Sequence, residues 1–477
     1  MASINYNLDK IEIYSVEDQK YNISDLMVEL HIYESILSPY MTGSLVLADS
    51  GANVIGNLPI QGMERIVISI STSIDKDTKY EYDFRVYSVQ NRVVNGKMQL
   101  YDLKLITYEG LQNEALRVGK KLEGYGQEIV EDIMKNIFKT KKELDFEPCK
   151  YKMKFIPSNK RPFDLIFSMT SKCISSSANP SATPAPSSAT STTTSSTSGG
   201  SSAPSVSSNT VGKLTGTAGY LFFETYNGFK FKSIDRLSST GGAFGGEPIK
   251  GRFEYAPANT DNSNPTSTAN RILDYSYDNE IDIFKKLRLG TYSSLIVFFN
   301  PGTGTYEEYV YSLNDTYSSM VHMGSADKIP KGQKELAQYP TRIMTQFIDH
   351  ENFYNENGTA SPESKDGSSK PSPFPDWKKF YMAQSIGRMS LLRNQVLNIT
   401  IPCNLSLRAG DKIEALLPNM SSQKERTTKK YDEEHSGLYL IQDISYTFKR
   451  LEGSQGTTTM KVVRDSYGMT DTASQVK

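Results

Sequence analysis

Three cysteines and four histidines in 477 residues leave little material for several classes of chemistry. Cys149, Cys173 and Cys403 are odd in number and far apart, which argues against a disulfide framework, and none stands at metal-ligand spacing from another. His31, His322, His350 and His435 form neither an HxxxH nor an HExxH pair, so each reads as a side chain of a strand, a loop or a helix surface. No GxSxG elbow and no GxxxxGK[ST] phosphate loop occurs. Gly302-Thr303-Gly304 lacks the third glycine and the following helix of a dinucleotide fingerprint. The cluster Asp274, Asp278, Glu280 and Asp282 comes nearest to a cation loop. Its sixth position is Asn279 where glycine is needed, and the bidentate glutamate is missing, so it reads as a solvated acidic turn. No carboxylate pair stands out as a glycosidase couple. The expectation is a chain with no catalytic, cofactor-binding or metal-binding residues, and not an enzyme.

A charge excess is missing too. With 53 basic and 54 acidic residues the net charge is −1, and no basic stripe is present to hold phosphate backbones or a membrane surface. No run approaches the roughly 20 apolar residues of a membrane span. The opening MASINYNLDKIEIYS has no charged segment followed by an apolar one, so the chain reads as made and assembled in a cytoplasm, without membrane anchoring. One tryptophan stands against 29 tyrosines and 20 phenylalanines. Tyrosine joins an apolar ring to a polar tip, which suits strands and part-wet protein interfaces. The length predicts three or four domains.

What is present is alternation. Between 397 and 468, three runs alternate apolar and polar residues as half-buried strands do: 397–401, 439–448 and 458–463. Arg408-Ala409-Gly410-Asp411 makes a turn, and 451–456 carries the Gly and Ser of a hairpin loop. A block of the same layout lies at 41–105. There 41–47 is a strand, and Gly62-Met63-Glu64-Arg65-Ile66 leads into 67–70 as Gly410-Asp411-Lys412-Ile413 leads into 414–416. The run 82–89 matches 439–444, Asn95-Gly96 turns the chain, and 98–106 returns like 458–463. An internal duplication and a chance likeness of two β-meanders both fit this pattern.

Between the blocks, 10–16 and 25–33 read as further strands of a β-region reaching about Ala115, and 126–138 has helical spacing. Pro162 opens a second helix whose Phe163, Ile166, Phe167 and Met169 face a core. From 175 to about 210 the chain is almost only Ser, Thr, Ala, Pro and Gly, too polar to offset its conformational entropy by burial. An insertion within one αβ loop and an interdomain linker are the two readings of this tract. Strands follow at 219–224 and 228–234 about an Asn227-Gly228 turn, then at 271–277, 293–300 and 305–311. Asn300-Pro301-Gly302 reads as a turn, 341–354 and 377–393 as helices, and 355–375 as a surface loop.

The order of these motifs resembles the baseplate hub proteins of contractile-tailed phages, including late control protein D type hubs and the hub-like part of type VI secretion spikes. The residues that carry the likeness are Arg161-Pro162-Phe163-Asp164-Leu165-Ile166, then Gly219-Tyr220-Leu221-Phe222-Phe223-Glu224 and Gly228-Phe229-Lys230-Phe231. Toward the end come Leu407-Arg408-Ala409-Gly410-Asp411-Lys412-Ile413, Ser436-Gly437-Leu438-Tyr439-Leu440-Ile441 and Arg464-Asp465-Ser466-Tyr467-Gly468. The Ser/Thr-rich tract and the excursion between Tyr317 and Arg393 depart from that family, and nothing resembles a spike β-helix or a lysozyme domain.

The resemblance implies an α+β, β-rich chain with two similar small β-barrel modules of tube type and helical or mixed inserts. The first module takes 1–115, and a mixed α+β domain takes 116–268. The second, split module takes 269–315 plus 396–470, a helical insert takes 316–395, and 471–477 is a tail. It also implies a homotrimeric ring in the virion tail baseplate, in which two modules per chain present six positions. Partners would be the central spike protein, tail tube or tube-initiator proteins and the tape measure, with DNA only in passage through the lumen. The competing readings are a β-rich tail-tip adhesin or fibre-attachment protein and a cell-wall hydrolase.

Overall fold

A computed structural model of the chain describes residues 4–15, 19–50, 58, 60–72, 78–96, 98–150, 152–176, 218–241, 244–255, 269–278, 282–300, 305–325, 331–347, 381–420, 430–450 and 455–469. Its first part comprises β1 (Ile4–Tyr14), β2 (Lys20–Asn22), β3 (Met27–Ser35), β4 (Thr42–Asp49), β5 (Arg65–Thr72), β6 (Tyr80–Asn95) and β7 (Met98–Ile106). Then come α1 (Tyr108–Ala115), β8 (Leu122–Tyr125), α2 (Gly126–Asp132, running on as a π turn over Ile133–Phe138), β9 (Leu144–Phe146), β10 (Lys152–Phe155) and α3 (Pro162–Thr170). The middle continues with β11 (Tyr220–Thr225), β12 (Gly228–Ser233), α4 (Ile234–Ser238), β13 (Gly251–Tyr255), β14 (Arg271–Ile272), β15 (Asp274–Tyr277) and α5 (Ile283–Leu289). Next are β16 (Ser293–Asn300), β17 (Thr305–Ser312), α6 (Leu313–Thr316), α7 (Lys331–Leu336), β18 (Arg342–Phe347) and α8 (Tyr381–Leu392). Four long-range strands end the chain: β19 (Gln395–Pro402), β20 (Lys412–Leu416), β21 (Gly437–Lys449) and β22 (Gln455–Arg464). The fold is α+β and β-rich.

The strands form two ladders that each return on themselves. The first runs β3–β4–β7–β6–β5–β1, all antiparallel. Its open ends are bridged by the last hairpin: β21 lies along β3, β22 meets β1 at Ile4 and Asn5, and β21 pairs with β22. The second runs β13–β20–β21–β22–β19–β15, and β14, separated from β15 by Leu273 alone, pairs back onto β13. The hairpin β21–β22 thus belongs to both rings. Alternation explains the inward faces: Tyr80, Tyr82, Phe84 and Val86 of β6 are buried while Glu81 and Asp83 point out. One apolar core runs through both rings, from Ile11 and Leu30 to Ile399 and Val462.

The two ladders agree residue for residue. In the first, Arg65 opposes Arg85, which opposes Ile106, which opposes Thr42. In the second, Lys412 opposes Leu440, which opposes Val463, which opposes Val396. A one-residue bulge follows at the same place in each, at Tyr87 and at Gln442. The residue two before each entering strand is pinned alike. Met63 N donates to Val86 O at 2.7 Å and Val86 N to Glu64 O at 2.9 Å; Gly410 N donates to Ile441 O and Ile441 N to Asp411 O, both at 2.9 Å. Met63 and Gly410 share a left-handed backbone, with φ of 77° and 85°. The copies diverge beyond Gln90, where β6 has a second bulge before Val93 that β21 lacks, and at one edge, where β1 is antiparallel to β5 whereas β13 is parallel to β20.

Several expectations are corrected. The strands at 293–300 and 305–312 stand apart from the second ring, in a three-stranded sheet with β18. The stretch at 341–354 is not helical where described: Arg342–Phe347 is β18, parallel to β16. Residues 108–115, read as part of the β-region, form α1. Phe167, expected to face the core, is 37% exposed, and Leu165 is buried in its place. The duplicated strands are offset at their start, since the register sets Phe84, not Tyr82, level with Tyr439. Residues 177–217, the turn at 301–304, the loop at 355–375 and the tail at 471–477 lie outside the described residues, as does most of the 451–456 loop. The chain leaves the described structure after Ser176 and re-enters at Ala218, which forms an antiparallel bridge with Ile174.

Because β21 and β22 complete the first ring, a fragment of residues 1–115 is expected to show no cooperative thermal unfolding. A sharp calorimetric transition in that fragment would contradict the shared hairpin. Replacing Met63 by Gly removes a left-handed strain of about 1–2 kcal/mol against a glycine entropy cost of about 0.5–1 kcal/mol. Denaturant titration should therefore show a small gain in stability; a loss would contradict the strain.

Candidate assembly junction

The side chains that join the rings to each other and to the inserts are buried, charged and paired. The turn between β19 and β20 carries Arg408, whose backbone N donates to Asp411 Oδ2 at 2.8 Å. The Arg408 side chain points inward. Its Nη1 donates to Leu407 O at 2.8 Å and to Tyr446 Oη at 3.0 Å. Its guanidinium lies 4.6 Å from the centre of the Tyr226 ring and 5.2 Å from that of Tyr80. Glu34 of β3 approaches the guanidinium at 4.0 Å and accepts the backbone N–H groups of Tyr226 at 3.0 Å and Ala409 at 3.1 Å. Burial pushes the Glu34 carboxyl up, and the Arg408 charge opposes that shift. The first ring, the β11–β12 turn and the second ring therefore meet at one cation.

Two further knots fasten the inserts. Glu224 of β11 accepts Met41 N at 3.1 Å and Thr107 Oγ1 at 2.6 Å, and pairs with Lys142, which also holds Glu109 at 2.6 Å. Burial raises Glu224, with Lys142 opposing. In the second knot, Arg388 of α8 bridges Asp235 of α4 at 2.9 Å and Asp465 at 2.8 Å, and donates to Val321 O at 2.6 Å. Asp465 also accepts His322 Nδ1 at 2.8 Å and Met323 N at 3.0 Å. Burial alone would raise both aspartates. For Asp465 the Arg388 charge and the His322 hydrogen bond outweigh it, holding that carboxyl well below the usual range, whereas Asp235 stays raised.

The residues singled out for chemistry are placed elsewhere. Asp274 is exposed on β15, Asp278 pairs with Lys461 at 2.6 Å, and Asp282 caps α5 by accepting Lys285 N at 2.8 Å; Glu280 lies outside the described residues. Among the described residues no group of three or more His, Cys, Asp and Glu side chains could hold a metal. His31 contacts Glu29 and Thr447, His435 contacts Asp432, and His350 lies outside the described residues. Cys149 and Cys173, far apart in sequence, are buried neighbours, with both sulfurs against Gly126. A cleft of about 180 Å³ beside Tyr82, Lys142, Glu224 and Tyr226 is smaller than the ~300 Å³ at which ligand pockets begin. No helix among the described residues is long and apolar enough to cross a membrane.

Sequence reasoning took Arg408 and Asp411 as a turn and missed Glu34, Arg388, Asp235 and Asp465 as partners. Their signal was weak: Glu34 lies on a strand, Asp235 and Arg388 on helices and Asp465 just past β22, and Arg388 stands 77 residues from Asp465 and farther still from Asp235.

No protein-family model matches the chain, and no curated protein matches it. Among solved structures it is similar to the tail protein from Neisseria meningitidis MC58, at 8% identity and TM-score 0.47, covering 97% of each chain. It is also similar to the 43 kDa tail protein of prophage MuSo2 from Shewanella oneidensis, at 8% identity and TM-score 0.48, covering 96% of this chain and 99% of that one. A third is the E. coli c3393 protein, a component of the type VI secretion system, at 8% identity and TM-score 0.41, covering 93% of this chain and 75% of that one.

Replacing Arg408 by Met leaves the Glu34 carboxylate buried without its cation, and is expected to cost about 3–5 kcal/mol in chemical denaturation. Adding Glu34→Gln should recover part of that loss. A single variant as stable as the native chain would show that the cation is not what holds the junction.

Proposed function

We propose that this chain is a structural hub of a contractile tail tip. Three copies form a ring at the tail axis, and the two equivalent strand modules of each copy present six similar positions to a hexameric tube. The opposite face holds a trimeric spike, and the lumen passes DNA or the tape measure. The observation that carries this reading is the residue-for-residue agreement of the two ladders, including the bulges at Tyr87 and Gln442. A duplicated module in one chain is what turns threefold into near-sixfold symmetry.

The buried charges fit the same role. Glu34, Glu224, Asp235 and Asp465 each accept a backbone N–H and face an arginine or lysine. Such groups hold a frame in one geometry, and their carboxylates are engaged in it rather than open to a substrate. The near-zero net charge suits a channel lining that lets nucleic acid pass without gripping it.

Light scattering coupled to size-exclusion chromatography is expected to give the mass of three chains. A strict monomer that degrades cell-wall material would overturn the proposal.

A further inference from the structure

The second ring docks on the first through its own hairpin. Beyond the Gln442 bulge, β21 leaves β20 and pairs along β3 from Asp443↔Ser35 to Lys449↔Glu29. The matching strand of the first ring, β6, behaves alike up to its bulge at Tyr87: it leaves β5 after Arg85 and runs on to Asn95. There the likeness stops. Among the described residues that outer edge of β6 meets no strand. Ile444, on the docked hairpin, is 1% exposed, while Val89, its counterpart in register, is 38% exposed. Val93, Val94 and Met98 are exposed further along the same ribbon.

The receiving edge shows the same contrast. Following the register from β4 to β19 sets Ile32 level with Tyr277 and Leu30 level with Tyr275. Ile32, under the docked hairpin, is fully buried; Tyr277 is 44% exposed. Among the described residues, β15 pairs with β19 on one side and ends the strand order on the other. One chain therefore carries a used hairpin-and-edge pair inside it, β21 on β3, and, among the described residues, an unused pair, β6 and β15, that keeps the same register as far as Gln90, where a second bulge ahead of Val93 departs from β21. Bare strand edges invite pairing with another chain.

We propose that β6 beyond Arg85 pairs antiparallel with β15 of a second copy of this chain, repeating between copies the contact that β21 makes with β3 within one. This rests on the ring reading above and names the surfaces that close it. The register is specified: Gln90 corresponds to Ser445 and Asp278 to Tyr33, and Ser445 opposes Tyr33. Gln90 of one copy thus opposes Asp278 of the next. Each copy offers one β6 and one β15, so the contact is head-to-tail, and it closes as a ring of three when successive copies are rotated by a third of a turn.

The test is the double variant Gln90→Cys with Asp278→Cys in the full chain, with oxidised glutathione taking up the two thiol electrons. Directly opposed antiparallel residues fall within disulfide reach. Non-reducing gels are expected to show dimers and trimers from the double variant and only monomers from each single variant. Protein that is trimeric by light scattering yet gives no cross-linked species would overturn the pairing and leave the ring standing; protein that is monomeric would overturn both. A second variant, Val89→Lys, changes an already exposed side chain. It should leave the circular dichroism spectrum unchanged and shift the trimer toward monomer; an undiminished trimer counts against the pairing.

Discussion

The last hairpin of the chain, β21–β22, is the element on which the architecture depends. Its half nearest β20 belongs to the second ring, and its far half closes the first against β3 and β1. The Gln442 bulge lies between those halves and lets one strand serve two curvatures. A consequence is that the first ring, although built almost wholly from the first hundred or so residues, is completed by strands more than 300 residues later. Closing such a loop costs entropy that grows only slowly with length, and the apolar core common to both rings offsets it.

Around this hairpin the chain uses charge for orientation and apolar area for stability. Arg408 sets the angle between the rings by meeting Glu34, Tyr226 and Tyr446 at once, and Arg388 sets α8 against α4 and the end of β22. Buried ion pairs contribute little net stability compared with apolar replacements, but breaking one is costly, so they select a single geometry. In the ring proposed above, that selectivity would matter more than extra stability. Three copies around an axis would repeat any error in the angle between the two modules.

Much of this was legible in the sequence because strands announce themselves by alternation. The runs at 67–70, 98–106, 397–401 and 458–463 all fall on strands. The duplication was visible as a common layout, yet its register was not: bulges at Tyr87 and Gln442 break the alternation without any residue type that signals them. The stretch at 341–354 reads as helix, yet Arg342–Phe347 is a short strand with Ile343 and Phe347 both exposed, so its apolar residues do not mark a buried face. Ring closure depends on contacts such as Ile4 with Gly456, and the charged knots on residues such as Glu34 and Arg408. No local pattern reports contacts of that separation, and a lone charge in sequence reads as a surface residue until the fold brings its partner.

The central claim is that one duplicated chain makes a threefold object with nearly sixfold strand layout. End-on electron-microscopy averages of the purified assembly test it most directly, through their rotational power spectrum. The account predicts a threefold peak accompanied by a strong sixfold component at the radius of the strand rings. A ring of another copy number, or threefold particles with no sixfold component at that radius, would contradict it.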